Sequence, residues 1–166
     1  MSNFKGIAYI AGPVRGLGRE RAIGVRSEAE RFLGYRGYTT FNPAGAWYGD
    51  PGEVRSELAL QSINDHIISI SSLFVAIMLQ GVESVGTEHE LMVALRSGKP
   101  VMILLQHADG ISEFVATVSR LVGESRAGVS NEVHFYSINP DTGSYTPLYI
   151  VQYEPVLEIE EVEEVA

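Results

Sequence analysis

The chain has 166 residues, 45% of them hydrophobic and 20% charged, the composition of a soluble globular protein that buries its core in one domain. Its net charge of −9 is mostly a matter of the end: six of the 21 acidic residues are glutamates from Glu154 onward, leaving 15 acidic against 12 basic residues in 1–153, a net of −3. An acidic tail over 154–166 serves solubility, and no basic stripe for nucleic acid exists; without cysteines, there is no disulfide frame, thiolate metal site or cysteine nucleophile.

The longest apolar runs, such as "VMILL" at Val101–Leu105, have the length of a strand, so no membrane span is expected. No signal-peptide pattern opens the chain, and a cytoplasmic location is the expectation. "GIAYIAG" reads as a first strand, after which Ala22, Val25, Ala29, Phe32 and Leu33 recur at helical spacing. "YTTFNP" is a second strand, stopped by Pro43. Asp50, Pro51 and Glu53 make a helix start that continues through Leu58, Ile63 and Ile67. "LFVAIML" is a third strand with a run that implies burial on both faces. A helix from about Thr87 to Arg96 follows, then "PVMILL", a helix marked by Phe114, Val115, Val118, Leu121 and Val122, and "EVHFYSI". This alternation predicts a doubly wound α/β domain over 1–153, with a mainly parallel five-stranded sheet flanked by helices. "SYTPLYIVQY" reads as an added strand, antiparallel at an edge.

In open α/β sheets ligands bind beyond the carboxyl ends of the strands, and the unusual residues fall there. The loop after the first strand holds Gly12, Arg15, Gly16 and Arg19. Glycines and arginines before a helix suit a phosphate, although neither the dinucleotide fingerprint nor the P-loop is present, and a solvated loop has the same composition. After the third strand comes "QGVESVGTEHE", with Ser84, Gly86 and Glu90. Thr87 followed three residues later by Glu90 is the spacing of a capping box; the other reading is a reactive carboxylate aimed into a cleft. His89 reads as a surface residue, and the four histidines show no metal-ligand spacing.

"YIAGPVRG", "FNPA", "SLFVAIML" and "SVGTEHELMVALRSGKPVMILL" together resemble the nucleoside 2-deoxyribosyltransferase superfamily, which includes nucleoside 5′-monophosphate N-glycosidases. The likeness runs in order over about residues 6–137. It implies that Glu90 attacks, or assists attack at, the anomeric carbon of a sugar. Ser84 and the Gly12, Arg15, Gly16 loop match the phosphate-holding positions of the N-glycosidase branch, with Arg19 and Gly86 beside them, and favour a nucleotide over a free nucleoside. The phosphoribohydrolases share "GTEHE" but have a double glycine before it that this chain lacks.

The resemblance also calls for an aspartate late in the helix before the third strand. Counting back without gaps from "FVA" reaches Asn64, with Asp65 beside it, and a second expected aspartate is replaced by Ser72. The leading expectation is hydrolysis of the N-glycosidic bond of a nucleoside or deoxynucleoside 5′-monophosphate. Deoxyribosyl transfer between free nucleosides and nucleotide binding without turnover are the alternatives. No metal or other cofactor is implied. A homodimer or larger homo-oligomer is expected, with Ser130 and Asn131 of "AGVSNEV" supplied to a neighbouring pocket; the same two residues also suit a simple turn.

Overall fold

The computed structural model describes residues 4–12, 19–43, 57–79, 85–106, 111–125, 131–138, 142 and 144–155. Along the chain come β1 (Gly6–Ala11), α1 (Arg19–Tyr35), β2 (Tyr38–Phe41), α2 (Glu57–Ile70), β3 (Leu73–Met78), α3 (Val85–Arg96), β4 (Val101–Leu105), α4 (Ile111–Ser125), β5 (Asn131–Ile138) and β6 (Tyr145–Tyr153). The six strands form one sheet in the order β2-β1-β3-β4-β5-β6. The first five are parallel, and β6 runs antiparallel along β5 as an edge strand, as the sequence predicts.

Strand order reverses between β1 and β3: the chain steps out to β2 on one side of β1, then returns to place β3 on the other. At such a reversal the connections leave in opposite directions and a cleft opens at the carboxyl ends. Every residue of β3 is buried, because the strand is central and helices cover both faces. On one face α1 contributes Ala29 and Leu33 against Ile10, Val75 and Leu104. On the other, α2, α3 and α4 lay Ile68, Leu91, Leu95, Val118 and Leu121 against Tyr9, Phe74, Ile103 and Phe135. Burying one large side chain of this kind contributes about 1.5–3 kcal/mol.

The end of α3 shows how local sequence fixes an element. Gly98 takes φ 66°, its N–H donates to Leu95 O at 3.1 Å, and Lys99 N–H donates to Ala94 O at 3.1 Å. That double closure needs a residue free to enter the left-handed region, and Pro100 then forbids any further helical turn.

The beginning of α3 differs from the sequence expectation. The helix starts at Val85, so Thr87 is its third residue, buried at 5% exposure, rather than its cap. The helix start assigned to Asp50, Pro51 and Glu53 lies outside the described residues, as does the chain from 156 onward. Among the described residues, no helix is long and apolar enough to cross a membrane.

Candidate active site

Tyr9 lies on β1 with its ring between Phe41, at 5.7 Å between centroids, and Phe74, at 5.8 Å. The three aromatic rings fix the direction of its hydroxyl, which faces Glu90 of α3. Glu90 is the sixth residue of that helix, and in the second turn its carboxyl points inward instead of back toward the helix start. The capping-box reading therefore fails. Burial is the main cause that raises the Glu90 carboxyl from 4.5 to about 7. The Tyr9 hydroxyl and the Arg26 charge work against the shift, Asp65 reinforces it, and His89 opposes it. Tyr9 is raised in turn by burial and by the negative charge of Glu90. The two groups bias one another without closing a well-formed hydrogen bond: Glu90 Oε2 and the Tyr9 hydroxyl are both buried with no partner in hydrogen-bond geometry. A buried carboxylate oxygen left this way costs stability, and a reactive site is where such a cost is tolerated.

Arg26 supports the site from the other face of the sheet. It is 3% exposed and its guanidinium donates to Ile10 O at 3.2 Å, Gly12 O at 2.6 Å and Asn42 Oδ1 at 2.9 Å. Asn42 Nδ2 passes the link on to Glu30 Oε1 at 3.1 Å. One buried cation thus ties the exit of β1 to the exit of β2 and sets a positive charge near Glu90. Gly12 stands in that tie: a Cβ there would meet Ile77 Cβ at 3.2 Å and Arg26 Nη2 at 3.5 Å, so the glycine is required by close approach.

On α2 it is Asp65 that acts on the charge of Glu90, and His89 Nε2 lies 3.3 Å from both of its carboxylate oxygens. Asn64, reached by the ungapped count, is half-buried on the same helix. Ser72 is elsewhere: it sits at the amino end of β3, where its N–H donates to Ile7 O at 2.8 Å and its side chain fills the space beside Gly6, whose φ is +110°. A residue there is at the wrong end of the sheet to serve Glu90, so its identity says nothing about lost chemistry.

Gly86 is exposed in the first turn of α3, and a Cβ on it would meet nothing within 4 Å. Packing within the chain does not demand the glycine. Arg19 opens α1. Arg15, Gly16, Ser84 and Ser130 lie outside the described residues. Asn131 is 2% exposed at the amino end of β5, so as folded it offers no side chain to a neighbouring molecule. A polar residue before a strand looks like a turn, but here it begins the strand itself and pairs opposite Tyr153.

Tyr9 and Arg26 are the site residues that sequence reasoning missed. Arg26 carried a signal: it is four residues after Ala22 and three before Ala29, on the face of α1 that the apolar spacing assigns to the core. Tyr9 sits within an apolar strand run and could be found only by asking where its hydroxyl goes. Among the described residues, no group of three His, Cys, Asp or Glu side chains is arranged to hold a metal ion.

No family model and no curated protein matches the chain. Solved structures do. A 2-deoxyribosyltransferase from Bacillus psychrosaccharolyticus superposes with a TM-score of 0.58 at 20% identity, over 86% of this chain and 99% of that one. The CMP N-glycosidase BcmB of Clostridium botulinum gives 0.51 at 18% identity, over 82% and 92%. A conserved protein from Enterococcus faecalis gives 0.53 at 18%, over 71% and 86%. The likeness is one of fold, and it is the fold that the sequence motifs imply.

Proposed function

We propose that the chain is an enzyme of the nucleoside 2-deoxyribosyltransferase superfamily that cleaves the N-glycosidic bond of a nucleoside or deoxynucleoside 5′-monophosphate, releasing free base and sugar phosphate. The observation that carries this reading is Glu90: a carboxylate buried against Tyr9 at the point where strand order reverses, with Asp65 and His89 beside it. Cleaving such a bond generates positive charge on the sugar and negative charge on the base. A buried carboxylate under the anomeric carbon meets the first need, either as nucleophile or as electrostatic support. The acidic and imidazole groups at the rim are available for the second.

The fold it shares with a CMP N-glycosidase supports this reading, and so does the placement of Gly12 and Gly86 at the exits where Arg15 and Ser84 are expected to hold phosphate. Transfer between free nucleosides is favoured by a separate observation, the longer superposition on a 2-deoxyribosyltransferase. Incubation with matched nucleosides and nucleoside 5′-monophosphates, following released base, separates the two. Hydrolysis of monophosphates predicts at least a tenfold preference for the phosphorylated member, from roughly 1.5–3 kcal/mol per charge-assisted hydrogen bond. Equal use of both, with release only when a second base is supplied, decides for transfer. Base release from neither would leave a nucleotide-binding protein.

The working unit is proposed to be a homodimer or larger. β6 is an edge strand with Leu148, Tyr149 and Ile150 between 42% and 57% exposed, an apolar surface suited to a second copy. Light scattering across a dilution series tests it; a monomer fully active at all concentrations removes the need for a partner.

A further inference from the structure

His89 precedes Glu90 on α3, so the two side chains leave the helix about 100° apart. Glu90 turns toward Tyr9 under the sheet, and His89 turns toward α2. Its Nε2 lies 3.3 Å from both carboxylate oxygens of Asp65, a residue 24 positions earlier in the chain. The His89 side chain is 40% exposed and that of Asp65 34%, so the pair sits at the rim of the cleft while Glu90 Oε2 is buried. A carboxylate against Nε2 fixes the orientation of the ring and the nitrogen that carries its first proton, so the second proton of the imidazolium is the one on Nδ1.

The geometry points to His89, oriented by Asp65, as the group that hands a proton to the departing base. This rests on the glycosidase reading of Glu90 and assigns the other half of that reaction. As the bond between C1′ and the base nitrogen breaks, its electron pair goes to the base, which takes the proton from the imidazolium. The Glu90 carboxylate meets the cationic sugar carbon. Water then adds its hydroxyl to C1′ and returns a proton to the imidazole, so nucleotide plus water gives base plus sugar phosphate with nothing left over. The active form has Glu90 ionised and His89 protonated. Among the described residues, the charged and titratable groups facing this centre are Tyr9 from β1, Arg26 from α1, Asp65 from α2, and His89 and Glu90 themselves on α3. Arg120 of α4 is engaged with Glu88 at 3.2 Å and Glu124 at 3.0 Å.

The test compares two leaving groups on the full chain. One is the base of the fastest nucleotide in the panel; the other is para-nitrophenolate on the same sugar phosphate, which departs as a stable anion and needs no proton. His89→Gln should lower kcat/KM for the nucleotide by roughly 100-fold or more, the usual worth of a positioned acid. Its loss on the nitrophenyl substrate should be at least tenfold smaller. Asp65→Asn should show the same split with smaller amplitude, and it carries the test if the histidine variant does not fold. Equal losses on both substrates would make the pair a mere clasp between α2 and α3 and overturn the proposal while leaving Glu90 untouched. An unaltered chain that cleaves neither substrate takes down the glycosidase reading and this one together.

Discussion

The two ends of the sheet are built by different means. At the amino ends, backbone closes the connections: Lys5 N–H donates to Gly37 O, Ser72 N–H to Ile7 O, and Phe74 N–H to Pro100 O, all between 2.8 and 3.0 Å. At the carboxyl ends of β1 and β2 the ties are side chains, with Arg26 holding two carbonyls and Asn42, and Glu90 kept in the dark beside Tyr9. Backbone closure costs little, because each N–H and C=O exchanges a water partner for a backbone one. Buried charge is expensive, and a fold that wanted only stability would fill the carboxyl end with apolar side chains. The difference supports the site proposed at that end, and it can be broken from either side.

The largest effect is expected at Glu90. Glu90→Gln keeps the shape of the side chain but removes the carboxylate, and base release should fall roughly 10³-fold or more. Stability should move the opposite way. The folded carboxyl titrates at about 7 and its ordinary value is 4.5, so the native state holds a proton that the unfolded chain has lost. The stabilising contribution of Glu90 is therefore complete below pH 4.5 and disappears as pH rises through 7. At about 1.4 kcal/mol per unit over the rise from 4.5 to about 7, the loss comes to roughly 3.5 kcal/mol, and the glutamine variant should be the more stable protein at pH 8 yet not at pH 4. Thermal unfolding at the two values checks this. A variant that turns over normally, or that gains nothing at pH 8, removes Glu90 from the site. Under the proposed function the same value sets an acid limb: kcat/KM of the unaltered chain should rise with pH through about 7 as the Glu90 carboxyl ionises.

Arg26→Met comes next. It strands Ile10 O, Gly12 O and Asn42 Oδ1, three acceptors of one buried cation, and should cost on the order of 3 kcal/mol, read as a lower denaturant midpoint. It also withdraws a charge that favours ionised Glu90, so the acid limb should move to higher pH. A stable variant with an unmoved limb would reduce Arg26 to an ordinary core residue.

What the sequence disclosed follows the same division. β1, β3 and β4 were legible because a parallel strand covered on both faces has to be continuously apolar, and "LFVAIM" and "VMILL" can be little else. The C-terminal edge strand was legible from its length and aromatic content. Glu90 was legible only as a choice between two roles, because Thr87 at three residues' distance imitates a cap; the start of α3 at Val85 removes the capping role. Arg26 was hidden by the habit of assigning charge to solvent, even on a face that Ala22, Ala29 and Leu33 mark as buried. Whether Asn64 or Asp65 serves the site depends on how α2 is rotated against α3, which no spacing along one helix contains. His89 was hidden for the same reason, since its partner comes from 24 residues away.

The smallest effect is the one that tests the comparison most directly. Ser72 stands where the resemblance expects an aspartate, so alignment alone predicts that Ser72→Asp should restore or raise activity. The structure predicts nothing of the kind. Ser72 belongs to the amino end, anchored by its N–H to Ile7 O and pressed against a glycine whose +110° conformation few other residues adopt. Ser72 is exposed, so a carboxylate there is solvated and, with the length of β3 between it and Glu90, contributes no proton and little field to the site. The crowding beside Gly6 should lower stability by less than about 1 kcal/mol, since the longer side chain can turn outward to water. Activity should stay within about twofold of the unaltered chain, a change too small to register against one at Arg26, Asp65 or His89, the charges that act on Glu90. A tenfold rise in base release from Ser72→Asp would mean that the amino end communicates with the site after all, and that the division between the two ends is drawn in the wrong place.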